Sequence, residues 1–144
     1  MDASVISGLA ALAGAAIGGL TSVTASLLTQ QAQAKAQWLA QDKFRRLELY
    51  KEFIEEAVKS HIHALQNDNP DIPALIGLYA KVSRMRALSS PKVIGSAEQV
   101  NQTILDTYLS PNKTIPELRE MINNRSIDLL RDFSEACRAE LLSM

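Results

Sequence analysis

From Ala3 to Ala34 the chain contains no charged side chain, and this restricts its possible folds more than any other feature. A helix of ~20 apolar residues, rising ~1.5 Å per residue, crosses a hydrocarbon core of ~30 Å. The stretch is therefore long enough to span a bilayer. Its drive to insert is moderate. Nine Leu, Ile and Val residues lie between Ala3 and Leu28. Each favours insertion by about 0.3–0.6 kcal/mol, and no Asp, Lys or Arg imposes its penalty of about 2.5–3.5 kcal/mol. A cleaved signal peptide would begin with basic residues, whereas Asp2 is the only charged side chain before Lys35; Val23-Thr24-Ala25 does have the small-residue pattern of a cleavage site. A core helix of a soluble protein is rarely uncharged over such a length.

The expected organisation is a transmembrane helix over residues 1–29, a juxtamembrane stalk and first bundle helix over 30–66, and the remaining bundle helices over 67–144. Lys35, Lys43, Arg45 and Arg46 flank the span on its C-terminal side. Basic residues stay in the cytoplasm, so the N-terminus is expected outside and the helical domain inside.

The span has two unlike faces. Val5, Leu9, Leu12, Ala16, Leu20, Val23 and Leu27 recur at steps of four and three and form a largely bulky stripe. A shift of two residues, about 200° around a helix, reaches the opposite side. That side reads Ser7, Ala11, Gly14, Gly18, Ser22, Ala25 and Thr29, all small. Gly14 and Gly18 form a GxxxG, extended by Ser22 and Ser26 at the same step. Small faces let helix backbones approach closely in lipid, where dispersion contacts and hydroxyl hydrogen bonds hold helices together. Homo-oligomerisation through this face is the expectation, with a monomeric Ala/Gly-rich anchor or a helix pairing with another membrane protein as the alternatives.

No proline precedes Pro70, and Gly19 is the last glycine before it. The spacing therefore predicts one unbroken helix through the Gln-rich stretch to about Gln66, with Gln30, Gln33, Gln37 and Gln41 on one stripe, either solvated or hydrogen-bonding through its amides between subunits. Phe44, Leu47, Tyr50, Ile54, Ala57, Val58, His61, Ile62 and Leu65 are expected on its buried face, opposite Arg45, Glu48, Glu52, Glu55 and Lys59. Asn67 to Pro70 ends the helix. Asp71 is positioned to cap a second helix with Leu75, Leu78, Tyr79, Val82 and Met85 inward. Ser90-Pro91 forms an N-cap pair for a third, buried through Val93, Ile94, Ala97, Val100, Ile104, Leu105 and Tyr108. A break follows at Leu109 to Asn112. Thr114 and Glu117 stand at capping-box spacing for a short helix. Asn123-Asn124 interrupts, Ser126 caps again, and Ile127, Leu130, Phe133, Cys137 and Leu141 line the last helix. No alternating strand pattern is present. The fold class is all-α: one N-terminal transmembrane helix continuing into a helical stalk, then a small antiparallel bundle.

Composition excludes several functions. A net charge of −1 is far from the basic excess of a protein held to nucleic acid by phosphate neutralisation. One cysteine, Cys137, forbids an intrachain disulfide and suits a reducing compartment; a buried free thiol is its expected role. His61 and His63, the only histidines, point about 200° apart on a helix and cannot share a metal. His61 reads as a hydrogen-bonded core residue and His63 as solvent-facing. His61 and Cys137 could pair only through the tertiary fold. Glu52, Glu55 and Glu56, interleaved with Lys51 and Lys59, read as surface pairing at three- and four-residue steps. There is no phosphate loop, no GxSxG and no inward Glu-x-x-His set. Lys81, Arg84, Arg86 and Lys92 form a basic patch suited to lipid headgroups or an acidic partner. No cofactor is expected, nor an enzymatic activity.

Leu49-Tyr50-Lys51-Glu52-Phe53-Ile54-Glu55-Glu56-Ala57, Leu78-Tyr79-Ala80 with Arg84-Met85-Arg86, Ser90-Pro91, Thr107-Tyr108 followed by Pro111-Asn112, and Phe133-Ser134 followed by Ala136-Cys137-Arg138 carry a resemblance across nearly the whole chain. They resemble a group of small uncharacterised bacterial inner-membrane proteins with a Gly/Ala-rich N-terminal transmembrane helix and a helical cytoplasmic domain. The resemblance implies a bacterial inner-membrane setting and brings no activity. The functional expectation is a membrane-anchored, non-enzymatic scaffold or adaptor that self-associates, with membrane lipid as a partner. Two alternatives are a small oligomeric channel, for which Ser7, Ser22, Ser26 and Thr29 would line a polar path, and an accessory subunit of a larger membrane complex. Ion flux through liposomes would distinguish the channel.

Overall fold

A computed structural model describes residues 2–110, 114–123 and 128–144. Pro111, Asn112, Asn124, Ser126 and Ile127, to which the sequence assigned breaks, a cap and a core position, lie outside the described residues. Every regular element among the described residues is an α-helix: α1 (Ala3–Gln66), α2 (Ile72–Leu88), α3 (Pro91–Leu109), α4 (Ile115–Asn123) and α5 (Arg131–Ser143). The all-α expectation holds. The chain divides into two compact units, one ending at Gln41 and one beginning at Asp42.

In the first unit α1 is the one described helix long and apolar enough to cross a membrane, and none of its apolar window is buried. Thr21, Ser22, Thr24 and Thr29 turn their hydroxyls back on their own helix. Ser22 Oγ donates to the Gly18 carbonyl at 2.8 Å and Thr29 Oγ1 to that of Ala25 at 2.9 Å. Thr21 and Thr24 do the same. A hydroxyl satisfied in this way places no unpaired donor on the surface of the helix.

In the second unit, local chemistry sets the helix boundaries. α1 stops at Gln66, where Asn67 to Pro70 cannot continue it. The Asp71 side chain accepts from the Ala74 amide at 3.2 Å, as expected of a cap. Thr114 and Glu117 realise half of the capping box, the Thr114 amide donating to Glu117 Oε2 at 2.7 Å. Ser90 stands at the cap position of α3, but its side chain makes no capping bond. The last helix begins at Arg131, with Leu130 at its cap position rather than inside it.

The bundle register can be read from its cross-helix contacts. Arg86 meets Glu98, Leu75 and Leu105 share a pocket, and the Asp71 amide reaches the Tyr108 hydroxyl. Residue numbers rise on α2 as they fall on α3, so these helices are antiparallel. Arg46 with Glu140 and Phe53 with Phe133 make α5 antiparallel to α1. Arg84 with Glu52 and Ser89 with Tyr50 make α2 antiparallel to α1 as well. The lower half of α1, with α2, α3 and α5, thus forms an up-and-down four-helix arrangement. Its core contains Leu49, Tyr50, Phe53, Leu78, Val82, Met85, Val93, Val100, Ile104 and Phe133.

Several burial expectations require correction. The face α1 buries is Leu49, Tyr50, Phe53, Ala57, Ser60, His61 and Ala64. Phe44, Leu47, Val58 and Ile62, expected inside, are exposed. Apolar residues cover roughly two thirds of the circumference here, because the stripe through Leu49 and Phe53 and the stripe through Leu47 and Val58 lie about 150° apart. Periodicity alone does not choose between two such stripes. Tyr79 and Leu105 are also exposed, on the outer flank of the α2–α3 pair.

Candidate functional site

The molecule offers three candidate sites: the small-residue face of α1, the basic residues on α2 and α3, and a buried carboxylate on α5.

Ser7, Ala11, Gly14, Gly18, Ser22, Ala25 and Thr29 are all exposed on α1. A Cβ placed on Gly8, Gly14, Gly18 or Gly19 would meet nothing within 4 Å. Glycine inside a helix is about 1 kcal/mol less favourable than alanine, and at these positions no contact among the described residues of the first unit offsets that. The face is small, uncharged and exposed.

The four basic residues Lys81, Arg84, Arg86 and Lys92 do not form a uniform patch. Arg84 pairs with Glu52 at 3.2 Å, and Arg86 with Glu98 at 2.6 Å while lying 5.9 Å from the Tyr79 ring centre. Glu98 and Tyr79 together hold the Arg86 guanidinium protonated beyond its ordinary range. Lys81 and Lys92 make no ion pair among the described residues. The charge available to an external anion is thus smaller than the sequence suggested. Glu52 is likewise engaged across helices, not by Lys51 or Lys59 as local pairing implied.

Glu140 is the most connected polar side chain of the bundle. One oxygen accepts from Arg46 at 3.0 Å and from the Ser90 amide; the other accepts from the Tyr50 hydroxyl. Arg46 also binds Asp42 at 3.0 Å, and Tyr50 contacts Ser89 Oγ at 2.7 Å. This network fastens the α2–α3 turn to both α1 and α5. Burial, reinforced by Glu140, pushes the Tyr50 hydroxyl well above its ordinary range and keeps it a donor. Sequence reasoning missed Glu140 because its partners lie up to 94 residues away, and Arg46 had been read only as a flanking positive charge.

The histidines differ from expectation. His63 is half-buried, its Nδ1 2.7 Å from the Tyr108 hydroxyl, not solvent-facing. His61 is buried as expected, but its Nδ1 has no hydrogen-bond partner; nor do Ser60 Oγ and Asn101 Oδ1. Desolvation lowers the His61 pKa. Asp128 lines the same groove but pairs with Arg131 at 3.3 Å. The unfolded chain, with an ordinary histidine near 6.5, therefore binds the proton first as pH falls. Stability from neutral His61 is complete above that value and declines below it until the folded-state pKa is passed. Denaturant titrations at pH 7.5 and 5.5 should show the loss in wild type and a smaller one in His61→Leu. Equal losses would remove His61 from the explanation.

Burial, and secondarily Glu140, pushes the Cys137 thiol up to about 12, so it stays protonated and unreactive at neutral pH. Cys137 and His61 line different grooves, and the pairing left open by the sequence is not assembled. No cluster of three His, Cys, Asp or Glu side chains suited to a metal occurs among the described residues. A groove of about 500 Å³ between α1 and α5 is lined by Leu47, Ile54, Leu141 and Leu142 together with Lys51, Glu55 and Arg138. Compared with protein families, curated proteins and solved structures, the chain shows no match.

Proposed function

We propose that this chain is a membrane-anchored, non-enzymatic helical scaffold, held in a bacterial inner membrane by the upper part of α1 and self-associating through the face from Ser7 to Thr29. In this reading the N-terminus lies outside and the bundle in the cytoplasm, with lipid and further copies of the chain as partners. The observation that carries it is the uncharged, wholly exposed small face, whose glycines meet no neighbouring atom. A helix–helix contact in lipid offsets the poor helix propensity of glycine through close backbone approach. The Ser22 and Thr29 hydroxyls, having donated to their own helix's carbonyls, offer acceptor lone pairs to a neighbouring helix and add no unpaired donor to lipid.

Gly14→Ile and Gly18→Ile, made together in the full chain, should shift the detergent-extracted species to a smaller size on native gels. The two side chains would hold paired backbones apart while making the helix more hydrophobic, so membrane retention should be unchanged. An unaltered oligomer size would exclude the small face, and recovery in the aqueous fraction would exclude the anchor.

A further inference from the structure

Phe44, Leu47, Lys51, Ile54 and Val58 follow one another at alternating steps of three and four, the spacing of a heptad seam. The sequence keeps this alternation upstream through Gln30, Gln33, Gln37 and Ala40. The seam is not the face α1 buries in its own bundle: Phe44 is 62% exposed, Leu47 52% and Val58 41%. A straight helix drifts ~20° per heptad against a strict seven-residue repeat, so the seam winds slowly around α1. Exposure follows that drift. Leu47 is open, Ile54 one heptad later is partly buried, and His61 in the next is 9% exposed. The seam is thus most open at its Phe44 end and closes at His61.

The flanks are charged in a complementary way. Lys43 borders the seam on one side and Glu48 on the other, and neither makes an ion pair among the described residues. Five residues apart, they are too far around the helix to reach each other. That same offset pairs opposite charges across two parallel helices in register.

We infer that a second copy of this chain docks on the seam, the two α1 helices running parallel from Phe44 to Val58 with Lys43 of each copy facing Glu48 of the other. The parallel sense rests on the anchored reading above, since copies inserted the same way round share a direction. Copies anchored in one membrane meet at a higher effective concentration than copies free in solution, which favours a contact as short as five seam positions. Lys51 sets ammonium against ammonium at an inner position, which weakens the pair while fixing its register.

Disulfide crosslinking of the full chain in native membranes tests this, with native Cys137 left in place because it is buried. Leu47→Cys should crosslink into dimers several-fold more than Arg45→Cys, which lies on another side of α1. Lys43→Glu or Glu48→Lys should each lower the Leu47→Cys dimer yield, and the two together should restore it. Equal yields from Leu47→Cys and Arg45→Cys, or no rescue by the charge swap, would overturn the inference. A Leu47→Cys product of a different mass would assign the seam to another protein and overturn it too. Ser22→Cys reports separately on the small face. Dimers from Ser22→Cys without any from Leu47→Cys sink the seam and leave the membrane contact standing; the reverse sinks the membrane contact alone.

Discussion

Glu140→Ala should destabilise the bundle by about 3 kcal/mol, the lower end of what removing one partner from a buried charged network costs. Arg46 would keep Asp42, and Tyr50 would keep Ser89, so the Ser90 amide is the group left without a partner. Glu140→Gln should fall between wild type and alanine. With its oxygen toward Arg46 and the Ser90 amide, Gln still accepts from both, but its amide group then faces the Tyr50 hydroxyl, where a carboxylate oxygen accepted. Thermal unfolding followed by circular dichroism would measure this, at about 4–8 °C per kcal/mol for a domain of this size. If Glu140→Ala melts with the wild type, the network contributes nothing to stability and the α2–α3 turn is held by its apolar contacts alone.

Phe133→Ala should have an effect at least as large, about 3–5 kcal/mol. The ring is fully buried, 4.8 Å from Phe53 and 5.9 Å from Tyr50 between ring centres, the latter edge-on. Its loss opens a cavity where α1 meets α5. Phe44→Ala is the informative comparison, because the same chemical deletion on the exposed stripe should leave the melting temperature of the individual bundle nearly unchanged. Similar losses from both would mean that Phe44 belongs to the core and that the assignment of the two stripes is wrong.

Elements with strong local signals were legible from the sequence. The uncharged run, the Asn67–Pro70 break, the Asp71 cap, the Pro91 start and the Thr114–Glu117 pair all depend on side chains within a few residues of the backbone they control. The burial of α3 was nearly correct because it has a single apolar stripe. For α1 the reading failed at Phe44, Leu47, Val58 and Ile62, where two stripes compete and only the positions of α2 and α5 decide between them. Glu140, Arg46 and the His63–Tyr108 contact were invisible for a related reason. A buried carboxylate on a mostly polar helix looks like any surface carboxylate until its distant partners are in place. The small face of α1 could be read as a pattern, but a pattern does not say what covers it.

The pairing of α1 with α5 also has a kinetic consequence. The bundle is closed by its first and last helices, joined through Arg46 and Glu140 at a separation of 94 residues. A ribosome adding about 5–20 residues per second makes Leu49 and Phe53 roughly 4–17 s before Phe133 exists to cover them. Throughout that interval the α2–α3 hairpin can form but cannot seal the nascent domain, so the time of greatest exposure to aggregation or to a chaperone is set by helix order and not by overall stability.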